Sequence, residues 1–198
     1  LATKLDMLMH PRWLATVATR RPRFVNVERE LAPGQNVNNF VGHGMFDPSF
    51  RWDDLKRFRD LWPRKLILKG LLRADDAERA VAAGMDGLVL SNHGGRQLDS
   101  AISGIEALPE VARTVGGRVS ILIDGGVRRG SDIAKAIALG AEGVLLGRAP
   151  VYGLAAGGAM GVTRAIEILA DEFDRTLALN GCRNVAELTA DLIATRGA

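Results

Sequence analysis

The sequence predicts an α/β fold of repeated strand–helix units, either a doubly wound sheet or a (β/α)8 barrel. Three observations lead there. Four short runs, beginning near residues 66, 87, 119 and 143, are apolar on both faces, as parallel strands covered by helices are. Helical stretches opened by capping residues separate the runs. Each run ends on polar residues or glycine: Lys69, Ser91-Asn92-His93, Asp124-Gly125-Gly126 and Gly147-Arg148. In both architectures chemistry sits at the C-terminal ends of the strands, so these four tips form one shared rim.

The elements follow in order. Residues 1–50 carry Pro11, Pro22, Pro33, Pro48 and the stretch PGQNVNNFVGHG, with no sustained period. They read as loop with one short helix near the start. A helix over 53–61 stops before Pro63. The run Leu66-Ile67-Leu68 closes at Lys69-Gly70. Asp75, with Glu78 three residues on, opens a helix that stops at Gly84. The run 87–90 ends at Ser91. Ser103 and Glu106 repeat the capping pattern before the next helix. The run 119–123 ends at Asp124. Ser131 is expected to cap a helix through Leu139, stopped by Gly140. The run 143–146 ends at Gly147-Arg148. The last helix spans about 162–179, with Val162, Ile166, Leu169, Phe173 and Leu177 on one face.

Composition narrows the function classes. The chain has 198 residues, 47% of them hydrophobic, enough for one domain or a large part of one with a sizeable core. Lys+Arg is 26 and Asp+Glu 23, an excess too small to mark a nucleic-acid partner. One cysteine, Cys182, excludes an intrachain disulfide framework and suits a reducing, cytoplasmic setting. No apolar run approaches the roughly 20 residues of a membrane span. The basic run Arg20-Arg21-Pro22-Arg23 reads as a solvated loop. The alternative is contact with phosphate or an anionic surface, a peripheral membrane contact through residues 20–46 at the inner face. The first residue is not Met, and an internal segment of a longer chain is the expectation.

Two strand tips carry phosphate chemistry. Asp124-Gly125-Gly126-Val127-Arg128-Arg129-Gly130 and Gly147-Arg148 offer bare backbone N–H groups, a helix N-terminus and two guanidiniums. Loops after the last two strands of a (β/α)8 barrel commonly bind phosphate. A third tip, Ser91-Asn92-His93-Gly94-Gly95-Arg96-Gln97, pairs a candidate base with a candidate carboxylate binder. A neutral His93 accepts a proton near pH 7, and Arg96 can hold a carboxylate by paired hydrogen bonds. Arg96 depresses the basicity of His93 unless a carboxylate offsets it; Asp99 is not expected to be that group. Lys69, ending an apolar strand, needs an anionic or electron-rich partner such as a cofactor ring that accumulates negative charge. His10 and His43 are isolated, and no metal site, Walker loop or Gly-x-Gly-x-x-Gly is expected.

These residues carry a resemblance. LSNHGGRQLD at 90–99 resembles the signature of the flavin mononucleotide (FMN)-dependent 2-hydroxy acid dehydrogenases and oxidases, the glycolate oxidase-like family. Lys69-Gly70, IDGGVRRG at 123–130 and LLGRAPVYGLA at 145–155 stand in the family's order. FDPSFRWDDLKRFRDLW at 46–62 is similar to the mandelate and lactate dehydrogenases.

The resemblance implies FMN as cofactor and oxidation of a mandelate- or lactate-like 2-hydroxy acid to the 2-oxo acid. It implies that Lys69 lies against the flavin N1/C2 oxygen and that Ser91 contacts flavin. His93 is then the base, and Arg96 binds the substrate carboxylate. Asp124, Gly125, Gly126, Val127, Arg128, Gly147 and Arg148 surround the ribityl phosphate. Residues 51–198 become the C-terminal half, strands 5–8, of a (β/α)8 TIM barrel, and residues 1–50 the loop-rich connection after strand 4.

The family's first four strands, two active-site tyrosines, the aspartate that orients the histidine and a second substrate arginine have no counterpart here. The chain's one tyrosine, Tyr152, follows the last strand. An N-terminal half-barrel, on the same or a separate chain, and a homo-oligomer are the expected partners. The rival readings are a non-catalytic phosphate- or flavin-binding half-barrel subunit and a different flavin-binding TIM-barrel enzyme.

Overall fold

The computed structural model describes residues 6–11, 14–15, 25–31, 33–34, 36–37, 40 and 47–194. It divides into two units, Leu1–Phe50 and Arg51–Ala198. In the first, the described residues include a short helix, Val25–Glu28, and no strand. Near its end Ser49 donates to Asp47 Oδ1 from its backbone N (2.9 Å) and its hydroxyl (2.6 Å), which lowers the Asp47 pKa. The basic run 20–23 and most of residues 20–46 lie outside the described residues, as does His43.

The second unit alternates strand and helix. α1 (Trp52–Leu61) leads to β1 (Ile67–Leu71), α2 (Ala74–Ala82) and β2 (Gly87–Leu90). Then come α3 (Gly104–Val115), β3 (Ser120–Asp124), α4 (Gly130–Ala138), β4 (Gly143–Leu145) and α5 (Arg148–Leu179). The four strands form one parallel sheet in the order β1-β2-β3-β4. Strand order never turns back, as in a barrel wall and unlike a doubly wound sheet. The fold is α/β, a partial (β/α)8 barrel of four units.

Burial is graded across the sheet. β2 is buried at every position. β1 and β4, which have a strand neighbour on one side only among the described residues, stay partly exposed. The core packs Leu88 and Leu90 of β2 and Ile121 and Ile123 of β3 against Leu108, Val111 and Val115 of α3 and Ala77 and Ala80 of α2. Each large side chain so buried contributes roughly 1.5–3 kcal/mol. The α3 pattern is set by its cap: Ser103 N donates to Glu106 Oε2 (2.8 Å), and Glu106 N to Ser103 Oγ (3.4 Å).

The structure departs from the sequence reading in four places. α2 begins at Ala74 with Arg73 as its N-cap, so Asp75 lies within the first turn rather than capping it. β1 includes Lys69 and Gly70, with a register slip between Lys69 and Leu71 where Gly70 takes φ 110°. The N-cap of α4 is Arg129, not Ser131. The Asp132 carboxylate takes the free N–H groups of Arg128 and Arg129, both at 3.0 Å, so the helix starts earlier. Gly130 also packs so close to α5 that a Cβ would overlap the Phe173 backbone, while its N–H donates to Glu172 Oε2 at 2.9 Å. Finally, α5 begins at Arg148 and breaks at Gly157 and Gly158. The two pieces touch backbone to backbone at Gly153 and Gly161. Beyond the break Leu169 is buried and Phe173 and Leu177 pack in the small second cluster, but Ile166 is 49% exposed.

The N-terminal end of the sheet is closed by Asp86. Its carboxylate accepts from Arg59 (2.7 Å), Lys65 (2.9 Å) and the Leu66 backbone (2.9 Å). Lys65 foremost, then the Leu66 N–H and Arg59, hold its pKa well below the usual carboxylate range. A carboxylate lowered on folding stabilises above its unfolded value and loses that contribution as pH falls toward its folded one. Asp86→Asn is therefore expected to lower the thermal midpoint at pH 7. The gap to the parent should begin to narrow below about pH 4. Thermal unfolding of both proteins across pH 3–7 checks this; a gap independent of pH would contradict it.

Candidate active site

The C-terminal strand ends meet over one cavity of about 880 Å³. β1 brings Lys69, the turn after β2 brings His93 and Arg96, and β3 brings Asp124. Gly125, Gly126, Val127 and Arg128 follow β3, and Gly147 and Arg148 follow β4. Ten of the eleven residues singled out in the sequence thus line one wall. The eleventh, Ser91, is 2% exposed and lies beneath the wall.

Lys69 is fixed from two sides. Its Nζ lies 2.6 Å from Asp124 Oδ2 and donates to Ser91 Oγ at 3.0 Å. The same Ser91 oxygen accepts the His93 N–H at 3.0 Å. That bond helps hold His93 in the left-handed region at φ 58°, which a residue with a Cβ adopts at a cost of roughly 1–3 kcal/mol. Asn92 Oδ1 accepts the Gly95 N–H (3.2 Å) and closes the turn His93–Gly95. The strand-to-helix turn at Gly125 and Gly126 needs φ 84° and 78°, and no side chain crowds the Gly126 Cβ position. Its backbone is therefore open to a close-lying ligand.

Charge is unbalanced here. Lys69, Arg96, Arg128 and Arg148 line the cavity against one carboxylate, Asp124. Asp99 does not line it. Asp124 Oδ1 is buried and has no hydrogen-bond partner within the protein. Such an orphaned acceptor suits a hydroxyl donor. Together these features fit a polyanionic ligand that also carries hydroxyl groups.

Sequence reasoning missed Gly94, Leu145, Leu146, Ala149 and Tyr152, which also line the cavity. Tyr152 stands four residues after Arg148 on α5, one helical turn along the same face, and that spacing was the available signal. Starting the last helix at 162 concealed it.

Residues 1–195 match the profile of the FMN-dependent dehydrogenases. The chain belongs to the FMN-dependent dehydrogenase family. It is 48% identical over 194 residues to (S)-mandelate dehydrogenase of Pseudomonas putida, covering 98% of this chain and 49% of that protein. To an L-lactate dehydrogenase of Caulobacter vibrioides it is 44% identical over 186 residues, covering 93% of this chain and 49% of the relative. The crystal structure of monotopic membrane protein (S)-mandelate dehydrogenase superposes with a TM-score of 0.86 at 46% identity, over 97% of this chain and 51% of that one. The chain spans about half the length of these relatives.

In this member of the FMN-dependent dehydrogenases the turn at Gly126 is tested directly. Gly126→Ala adds a Cβ in open space but at positive φ, so it is expected to lower stability by about 1–2 kcal/mol. Urea unfolding measures it. An unchanged midpoint would mean that the turn is not held in the left-handed region.

Proposed function

We propose that this chain is the part of an FMN-dependent 2-hydroxy acid dehydrogenase or oxidase that holds the flavin and the catalytic histidine, oxidising a mandelate- or lactate-like acid to the 2-oxo acid. The observation that carries the reading is the sharing of one cavity by His93, Arg96 and Lys69 with the glycine- and arginine-rich ends of β3 and β4. Family membership favours it over a different flavin-binding barrel, and the joint presence of His93 and Arg96 favours it over a non-catalytic half-barrel.

The residues suit FMN. The backbone N–H groups from Gly125 to Arg128, with Gly147 and the Arg128 and Arg148 guanidiniums, match a dianionic phosphate. The orphaned Asp124 Oδ1 matches a ribityl hydroxyl. The volume falls within the roughly 300–1,000 Å³ of small-ligand sites. Bound FMN supplies a ring that accepts two electrons. Around it Lys69 presents a fixed positive charge, Arg96 orients the substrate by its carboxylate, and His93 accepts a proton from the substrate. Ser91, the proposed flavin contact after β2, also holds Lys69 Nζ and the His93 N–H through its Oγ.

Among the described residues β1 and β4 each have a strand neighbour on one side only, which supports an N-terminal half-barrel as partner, on the same chain or another. A homo-oligomer and a cytoplasmic position, with peripheral membrane contact through residues 20–46, complete the reading. The likeness to a monotopic membrane protein supports the contact. Among the described residues no helix is long and apolar enough to cross a membrane.

His93→Ala should leave flavin bound but slow its reduction by a 2-hydroxy acid by about 10²–10⁴-fold. Stopped-flow absorbance reads the rate, and a change of only a few-fold would remove His93 from the role of base. Arg148→Ala should weaken flavin retention, and riboflavin, which lacks the phosphate, should lose much less affinity than FMN. Dialysis followed by flavin quantification decides it; equal losses for both flavins would contradict a phosphate contact.

A further inference from the structure

We propose that Ser91 is a positioning residue that ties the Lys69 ammonium to the backbone of His93 through a single oxygen. Ser91 Oγ accepts from Lys69 Nζ and from His93 N, each at 3.0 Å. One donor comes from the neighbouring strand and the other from two residues along the turn. A serine that only shaped its own turn would need the second bond alone. Both lone pairs are occupied, and at 2% exposure solvent has little access to replace either bond.

The two tied groups each need the help. Asp124 holds Lys69 at 2.6 Å, but a single carboxylate contact leaves the ammonium free to pivot, and the bond to Ser91 sets its direction. His93 occupies a left-handed backbone that it seldom adopts unaided, and its N–H bond to Ser91 selects that conformation. One hydroxyl thus links the lysine of the cavity to the backbone of its histidine. The roles of these two groups rest on the proposed function; the tie itself rests on geometry.

The tie is tested by Ser91→Ala, with Ser91→Thr as the variant that keeps the oxygen. Should Ser91→Ala not fold, Ser91→Cys, whose sulfur accepts hydrogen bonds poorly, takes its place. In flavin-free protein, amide hydrogen exchange at His93 should accelerate by about tenfold or more in Ser91→Ala, the scale of one lost hydrogen bond. In FMN-loaded protein the flavin midpoint potential should fall, because the Lys69 charge is no longer held toward the ring. The pH profile of reduction by a 2-hydroxy acid should shift with it, and Ser91→Thr should restore both. Unchanged exchange at His93 overturns the tie. So does slower reduction with the parent's potential and pH profile, since that is loss of packing alone. A parent protein that binds no FMN would sink the proposed function instead, and the exchange measurement would still decide the tie.

Discussion

The ion pair between Lys69 and Asp124 organises the functional end of this fold. Lys69 sits on β1 and Asp124 on β3, so their contact at 2.6 Å reaches past the end of the intervening β2. Ser91, the first residue after β2, fills the gap beneath. Three neighbouring strands are thereby joined at their C-terminal ends by side chains as well as by the backbone ladder. The pair is partly solvent-exposed, and such pairs add about 1 kcal/mol or less. Its effect is on position, while stability comes from the aliphatic layer between β2, β3, α2 and α3.

The two ends of the sheet answer the same problem differently. At the N-terminal end Asp86 receives three donors shared between its two oxygens, and neither oxygen is left without a partner. At the C-terminal end Asp124 keeps one buried oxygen without a partner, and three arginines face the cavity with no carboxylate of their own on its wall. Native proteins leave few buried polar groups unpaired, and those they leave tend to mark function. The contrast lies within one sheet, between aspartates at opposite ends of its strands: one carboxylate is satisfied within the protein and the other is not.

Much of this was legible in the sequence because it depends on local chemistry. Four apolar runs of strand length, a Ser103–Glu106 capping box and glycine stops at helix ends each act within a few residues, and the structure keeps them. The site residues were legible because chemistry in parallel α/β folds collects at strand tips. What escaped notice depends on tertiary contact. Asp132 displaced Ser131 as the organiser of the α4 start because it reaches two backbone donors, and Gly130 lies against α5, 42 residues away. Tyr152 was missed because the last helix was expected only from about residue 162, past Gly153, Gly157, Gly158 and Gly161. In the fold they permit a tight helical crossing that carries Tyr152 to the cavity. The bonds that Ser91 Oγ accepts from Lys69 Nζ and His93 N also escaped the sequence, since the first of them reaches across from the neighbouring strand.

The excess of positive charge at the cavity has a thermodynamic consequence. Lys69, Arg96, Arg128 and Arg148 line the cavity against one carboxylate, so the chain carries an excess of positive charge there. A dianionic phosphate at the β3–β4 end and a carboxylate at the Arg96 end would each relieve part of it. A ligand that binds only the folded chain stabilises it by mass action, about 2.7 kcal/mol at a hundredfold excess over its dissociation constant. On the proposed reading, then, the phosphate that anchors the flavin is also a structural element. It joins the ends of β3 and β4, the two strands that the Lys69–Ser91–Asp124 contacts do not link to each other. The anchored cofactor and the tied lysine would together brace all four strand ends, and only the sheet edges would be left for another part of the barrel to cover.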